Sequence, residues 1–383
     1  MKIFILAGEP SGDKLGGALM TGLKTLHPDV TFEGIGGPEM TAQGLNSRFD
    51  MSELSVMGLA EILPKYRALM ARINQTADAV LKMQPDVLIT IDSPDFSLRV
   101  ARRVKAKSKI RTVHYVAPTV WAWRPGRAQK MARWVDHVLA LFPFEPPYMQ
   151  AVGMQCDFVG HPVVAEPQAT DADAAAFRQT AGLGDAPTVL VLPGSRKSEV
   201  MRLGPVFQQV VARMVQARPE LRVVIPATGK LAALVRQMTR TWEGRPVVLD
   251  PNDCDLETGL ARKRAAFRAA DVAVAASGTV SLELAAAQTP MVIAYDMNWL
   301  SRQIIGRMVK VDTVTLVNLV SETRVVPEFI GANCRPGPIS QAALAALDAP
   351  DAQQEAMALT MARLGQGGEA PGLRAARAIL DAM

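Results

Sequence analysis

The stretch TVLVLPGSRKSEV, Thr188 to Val200, passes from one kind of structure into another. Apolar side chains on consecutive positions predict a strand over Thr188–Leu192 buried on both faces, the mark of a parallel sheet covered by helices. Pro193 and Gly194 stop the strand, Ser195 and Arg196 follow, and a helix opens near Lys197. Such a turn lies at the carboxyl end of a sheet, where open α/β proteins bind ligands. Gly194 would let the backbone approach an anion, and Arg196 with the helix N-terminal amides, beginning at Ser195, would hold it. An ordinary strand-to-helix turn is the plainer alternative.

The same rhythm runs outward in both directions. Towards the N-terminus the expected strands are Ile3–Ala7, Thr31–Ile35, Val87–Ile91, Arg111–Val116, Val138–Phe142 and Asp157–Val159. Towards the C-terminus they are Leu221–Pro226, Val247–Leu249, Val272–Ala275 and Met291–Ala294. Stretches of helical periodicity, such as Gly12–Leu26 and Leu69–Met83, separate them. This βαβ order predicts doubly wound parallel sheets. GHPVVAEPQATDADAAA, from Gly160, breaks the rhythm and reads as a linker, so the pattern gives two Rossmann-like domains, residues 1–165 and 166–345. An Ala-rich helical segment, 346–383, is expected to pack back on the first.

A chain of 383 residues exceeds one ordinary core. With 49% hydrophobic and 21% charged residues it is globular, and a net charge of +5 suits an anionic ligand or membrane surface without arguing for nucleic acid. The 3 cysteines show neither metal spacing nor a disulfide framework, which predicts a reducing cytosol. The apolar run Ile3–Ala7 is too short for a signal peptide, and no run is long enough to span a bilayer, so membrane contact is expected to be peripheral.

A second turn, AASGTVSLELAAA from Ala275 to Ala287, combines Ser277, Gly278 and Thr279 with Glu283 inside the next helix. Amides for a diphosphate and a carboxylate for a ribose hydroxyl fit this arrangement, as does a simple helix cap. Two such turns in one domain point to a nucleotide-diphosphate site, and neither is a P-loop. In the first domain DSPDF sets Asp92 and Asp95 after a strand, where a general base would sit or where one carboxylate caps a helix. The D-x-D pairs Asp171/Asp173 and Asp253/Asp255 lie in the linker and in a surface-like loop away from strand ends, so no metal is expected. HYVAPTVWAWRPGR, His114 to Arg127, concentrates rings and arginines in a chain with 5 Trp and 4 Tyr; His114 and His161 follow strands and are structural or face a ligand.

AGEPSGD, GGPEM, SVMGLAEIL, DSPDF, HYVAPTVWAWRPGR, LALFPFEPPY, FVGHP, LPGSRKSEV and AASGTVSLE occur in one order from Ala7 onward. With them the chain resembles the bacterial lipid-A-disaccharide synthase family. The resemblance implies a GT-B fold of two facing Rossmann-like domains with a cleft between them. It implies an inverting hexosyltransferase that moves 2,3-diacylglucosamine from UDP-2,3-diacylglucosamine to 2,3-diacylglucosamine 1-phosphate, giving the β-1,6 lipid A disaccharide 1-phosphate and UDP. No cofactor or obligate metal is implied. The implied place is the cytoplasmic face of the inner membrane of a Gram-negative cell, on its lipids; a homo-oligomer is left open.

The resemblance puts the functional aspartate in DSPDF, and Asp95, past Pro94, is the expected base before Asp92 and His114. Arg124 and Arg127 are expected at the acceptor phosphate. Trp121 and Trp123 line sugar or acyl chain, or pack the loop against its domain. The family's usual LPN reads Leu316-Val317-Asn318, so Asn318 is retained while the proline is not. SVMGLAEILPKYRALM, from Ser55, spaces Val56, Leu59, Leu63 and Met70 beside Lys65 and Arg67, as an interfacial or a core-facing helix does. WLSRQIIGRMVKV, from Trp299, is a second basic amphipathic stretch. A UDP-sugar epimerase, a transferase with another lipid acceptor and a non-catalytic lipid carrier are the competing readings.

Overall fold

The computed structural model describes residues 1–54, 59–122, 126–297 and 311–383. The chain divides into two compact units: 1–165 with 364–383, and 166–363.

The described strands of the first unit are β1 (Lys2–Ala7), β2 (Thr31–Ile35), β3 (Val87–Ile91), β4 (Arg111–Tyr115), β5 (His137–Ala140) and β6 (Gln155–Phe158). All pair in parallel, in the order β2-β1-β3-β4-β5-β6. The order reverses at β1 and β3, where Ala7 and Ile91 are register partners. The turns that begin at Gly8 and Asp92 therefore leave the sheet side by side, at a topological switch point.

In the second unit the strands are β7 (Thr188–Leu192), β8 (Arg222–Pro226), β9 (Val247–Leu249), β10 (Val272–Ala275), β11 (Met291–Tyr295) and β12 (Glu328–Ile330). They too are parallel, ordered β12-β11-β10-β7-β8-β9. Here the switch falls between β7 and β10, and Leu192 is the register partner of Ala275. Val189, Val191, Val272 and Val274 meet Phe207, Val210 and Val211 of the helix Lys197–Ala217 in a buried core. Each such side chain contributes roughly 1.5–3 kcal/mol on burial.

The expected boundary at 345 falls inside the helix Pro336–Asp348. The next helix, Asp351–Arg363, stays with the second unit, packed on the helices Val280–Ala286 and Leu316–Ser321. Only the last helix, Pro371–Asp381, returns to the first unit, along the helix Pro10–Leu26. The reason is apolar pairing: Ala356, Met357 and Met361 are buried on the second unit, while Ala375, Ala376 and Ile379 are buried on the first.

Candidate functional site

At the switch point of the second unit lies a cavity of about 480 Å³. Both expected turns line it, through Gly194, Ser195 and Arg196 and through Ser277, Gly278, Thr279 and Glu283. Register alone brings them together, since β7 and β10 are neighbours although some eighty residues apart in sequence.

The first turn differs from expectation. Glu199 folds back over it, and its Oε2 accepts the amide hydrogens of Ser195 at 3.0 Å and Arg196 at 3.2 Å. The amides expected to bind an anion thus hold an internal carboxylate. Gly194, at φ +112°, makes room for Glu199 rather than for a ligand: a β-carbon there would stand 2.5 Å from Glu199 Oε2. The Arg196 guanidinium remains available, 65% exposed, with Nη1 3.4 Å from Glu199 Oε1.

The second turn is open. Gly278 has φ +147° and nothing would lie within 4 Å of an added β-carbon. No described hydrogen bond takes the amides of Ser277, Gly278 or Thr279. Glu283 accepts from Lys263 Nζ at 2.5 Å, and that ammonium also sits 5.1 Å from the Phe267 ring centroid. Lys263, Phe267 and Asp250 line the cavity and were absent from the sequence-based set. The basic run ARKRAAFRA on the helix Leu256–Ala269 was the available signal.

The loop after β9, expected to lie away from any ligand site, borders this cavity through Asp250, Pro251 and Cys254. Its carboxylates are engaged: Asp255 caps the helix Leu256–Ala269 by accepting the Thr258 amide, and Asp253 pairs with Arg236 at 2.5 Å. Asp173 closes a capping box with Thr170.

Asn318 is not at the cavity. It is buried, with Nδ2 donating to the Val326 carbonyl at 2.9 Å and to Thr313 Oγ1 at 3.2 Å, while Oδ1 accepts the Val326 amide at 3.1 Å. These bonds tie the helix Leu316–Ser321 to the segments before and after it at Thr313 and Val326.

In the first unit Asp92 and Ser93 both have positive φ, +47° and +43°. The Asp92 amide donates to the Tyr115 carbonyl at 3.0 Å, and its own carbonyl accepts Ser97 Oγ at 2.7 Å. The Asp92 carboxylate is half-buried and has no described partner, so the turn's amides do not occupy it; Asp95 is exposed in the first turn of the helix Pro94–Lys105. His114 is buried on β4 against Thr90 Oγ1, at 2.7 Å. Burial, then the charge of Arg127, pushes its pKa down to about 4. A buried imidazole of such low basicity does not suit a base acting on an external hydroxyl.

Trp121 is buried, edge-on to Phe144 at 5.2 Å, with Nε1 donating to Glu145 Oε1 at 3.4 Å. Phe144 stacks on Phe142, and Phe142 on His161. The ring packs its loop and lines no open surface. Glu145 Oε2 accepts the Leu141 and Phe142 amides, and burial pushes its carboxyl up to about 7. Arg127, half-buried on the helix Gly126–Met131, has no described ion pair. Trp123, Arg124, Val56 and nearly all of the second amphipathic stretch lie outside the described residues, as do the side chains of Leu59, Leu63 and Lys65. AGEPSGD also has a structural core: buried Asp13 accepts the amides of Gly37, Glu39 and Met40, joining it to GGPEM.

A sequence profile described as Lipid-A-disaccharide synthetase matches residues 3–377. A lipid-A-disaccharide synthase of Ruegeria pomeroyi is 65% identical over 382 residues, 100% of this chain and 95% of that protein. One from Rhodospirillum centenum is 46% identical, covering 99% of this chain and 94% of that one. Among solved structures, a UDP-GlcNAc 2-epimerase of Neisseria meningitidis bound to UDP-GlcNAc is similar at TM-score 0.61 and 12% identity, over 100% of this chain and 99% of that one. A UDP co-structure of S. aureus MnaA gives TM-score 0.63 at 11% identity, over 99% and 94%. At such identity these structures share the fold alone.

Proposed function

The chain belongs to the lipid-A-disaccharide synthetase family, and on that premise we propose how its residues share the work. Its reaction joins the lipid A disaccharide: 2,3-diacylglucosamine passes from UDP to 2,3-diacylglucosamine 1-phosphate with inversion, and UDP leaves. The cavity of the second unit is assigned to the UDP half of the donor. The observation that carries this is the meeting of an exposed guanidinium, three unengaged amides and a carboxylate at one switch point. Arg196 and the amides of Ser277, Gly278 and Thr279 take the diphosphate, and Glu283 takes ribose hydroxyls. Negative charge grows on the diphosphate as its bond to the sugar breaks, so the same groups lower the barrier without a divalent ion.

The first unit is assigned the acceptor. The Asp95 carboxylate, exposed and in the family's motif, takes the proton of the 6-hydroxyl as that oxygen attacks the anomeric carbon. Asp92 is the second reading, favoured by one feature Asp95 lacks: its backbone is held on both sides in a left-handed conformation, which preorients the carboxylate. Arg127, with Arg124 near it in sequence, takes the acceptor phosphate. No described helix is long and apolar enough to cross a membrane. Contact with the cytoplasmic face of the inner membrane is assigned to the stretch Ser55–Met70, supported by the apolar and basic spacing of its sequence.

The test is UDP release with both lipids in detergent micelles and excess EDTA. Acceptor-dependent release is expected to persist. Loss of turnover restored by magnesium would overturn the electrostatic assignment, and equal release without acceptor would refute transfer.

A further inference from the structure

We propose that Lys263 is a positioning residue that sets Glu283 for the ribose of the nucleotide, an inference that rests on the assignment of UDP to this cavity. Lys263 projects from the helix Leu256–Ala269 and Glu283 from the helix Val280–Ala286, so the contact bridges two helices that follow different strands. Lys263 Nζ lies 2.5 Å from Glu283 Oε2, and no described hydrogen bond uses Oε1. Phe267, one turn along the same helix, has its ring centroid 5.1 Å from the ammonium and restricts the lysine stem.

The pair is a poor stability device. Its side chains are 38% and 37% exposed, and ion pairs in that setting are worth little to the fold. At a nucleotide site it does something that matters more. The bond to Oε2 fixes the rotamer of Glu283, leaving Oε1 to accept from a ribose hydroxyl at reduced ordering cost. Glu199, which lines the cavity as Asp250 does, is likewise held, by Arg196 and two amides.

The experiment is calorimetric titration of UDP and of 2′,3′-dideoxy-UDP into the full chain, its Lys263→Met, Lys263→Arg and Glu283→Gln variants, and the Lys263→Met/Glu283→Gln double variant. Lys263→Met is expected to weaken UDP by about tenfold, the scale of one charge-assisted hydrogen bond. The dideoxy nucleotide should change by less than about twofold on the same scale. Lys263→Arg should recover most of the loss, and the double variant should bind UDP no more weakly than Glu283→Gln alone. Equal weakening of both nucleotides would put Lys263 on the phosphates and overturn the proposal, as would no weakening of either. If the unsubstituted chain binds both nucleotides equally, the ribose role of Glu283 falls and Lys263 with it. If it binds neither, the assignment of UDP to this cavity fails first.

Discussion

Glu199 reaches back over Gly194 to accept the amide hydrogen of Ser195, with Oε2 3.0 Å from that nitrogen. Only a residue without a β-carbon leaves space for this carboxylate, and the turn that aims Arg196 depends on it. Gly194→Ala should therefore strain the turn by about 1–3 kcal/mol and weaken UDP binding together. Arg196→Ala leaves the backbone alone and should raise the donor KM or lower kcat by about ten- to a hundredfold. Glu283→Gln should weaken UDP through the ribose. Folded Arg196 and Glu283 variants that bind UDP as the unsubstituted chain does would move the nucleotide out of this cavity.

Asp95→Asn keeps shape and removes basicity, so kcat should fall by roughly 10²–10⁴-fold with little change in UDP affinity. The measurement needs both lipids saturating and the chemical step limiting. A near-normal kcat for Asp95→Asn beside a collapsed one for Asp92→Asn would transfer the role to the pinned aspartate.

Glu145 should give the stability of the first unit an unusual pH dependence. Its carboxyl is pushed from an ordinary value of 4.5 up to about 7 in the folded chain, chiefly by burial. The folded state then binds more protons than the unfolded state between those values, so this group's stabilisation is complete below pH 4.5 and is lost as pH rises towards 7. His114 acts with the opposite sign: held down at about 4 from 6.5, it removes stability as pH falls through that window. Glu145→Gln should abolish the falling branch and leave the rising one in a series of melting temperatures across pH 4–8. An unchanged profile would show that Glu145 ionises freely.

Replacing Val56, Leu59 and Leu63 by Ser should reduce co-sedimentation with anionic liposomes while UDP binding persists. Unfolding of this variant would instead assign the three residues to the core of the first unit.

Much of this architecture is legible in local patterns. The pattern places β3, β7 and β10 at their observed ends, because strands buried on both faces are written as consecutive apolar residues bounded by turn formers. β12 escapes, being three half-buried residues at a sheet edge with no apolar run of its own. The meeting of Arg196 with Ser277–Thr279 also escapes local reading, because it depends on the pairing of Leu192 with Ala275. The acidic residues are the most misleading. Asp13, Glu145 and Glu199 each turn inward onto backbone amides, a use of a carboxylate that no local pattern distinguishes from a ligand site. Asn318 likewise holds both backbone groups of Val326, a pairing across eight residues that the motif does not spell out.

The helix Pro371–Asp381 lies so close to the helix Pro10–Leu26 that a β-carbon on Gly22 would meet the Gly372 carbonyl oxygen at 2.6 Å, and one on Gly372 would meet the Ala18 carbonyl oxygen at 2.5 Å. The first unit is thus assembled from two separate stretches, 1–165 and 364–383, whereas the second is one uninterrupted run. On a ribosome, where domains generally fold in order of emergence, that order is inverted here. Residues 166–363 are complete while the N-terminal sheet still lacks a helix, and its partner surface on Pro10–Leu26 stays uncovered until residues 371–381 have been made. A released chain truncated after Ala370 should accordingly be cut by protease within residues 1–165 and resist within residues 166–363.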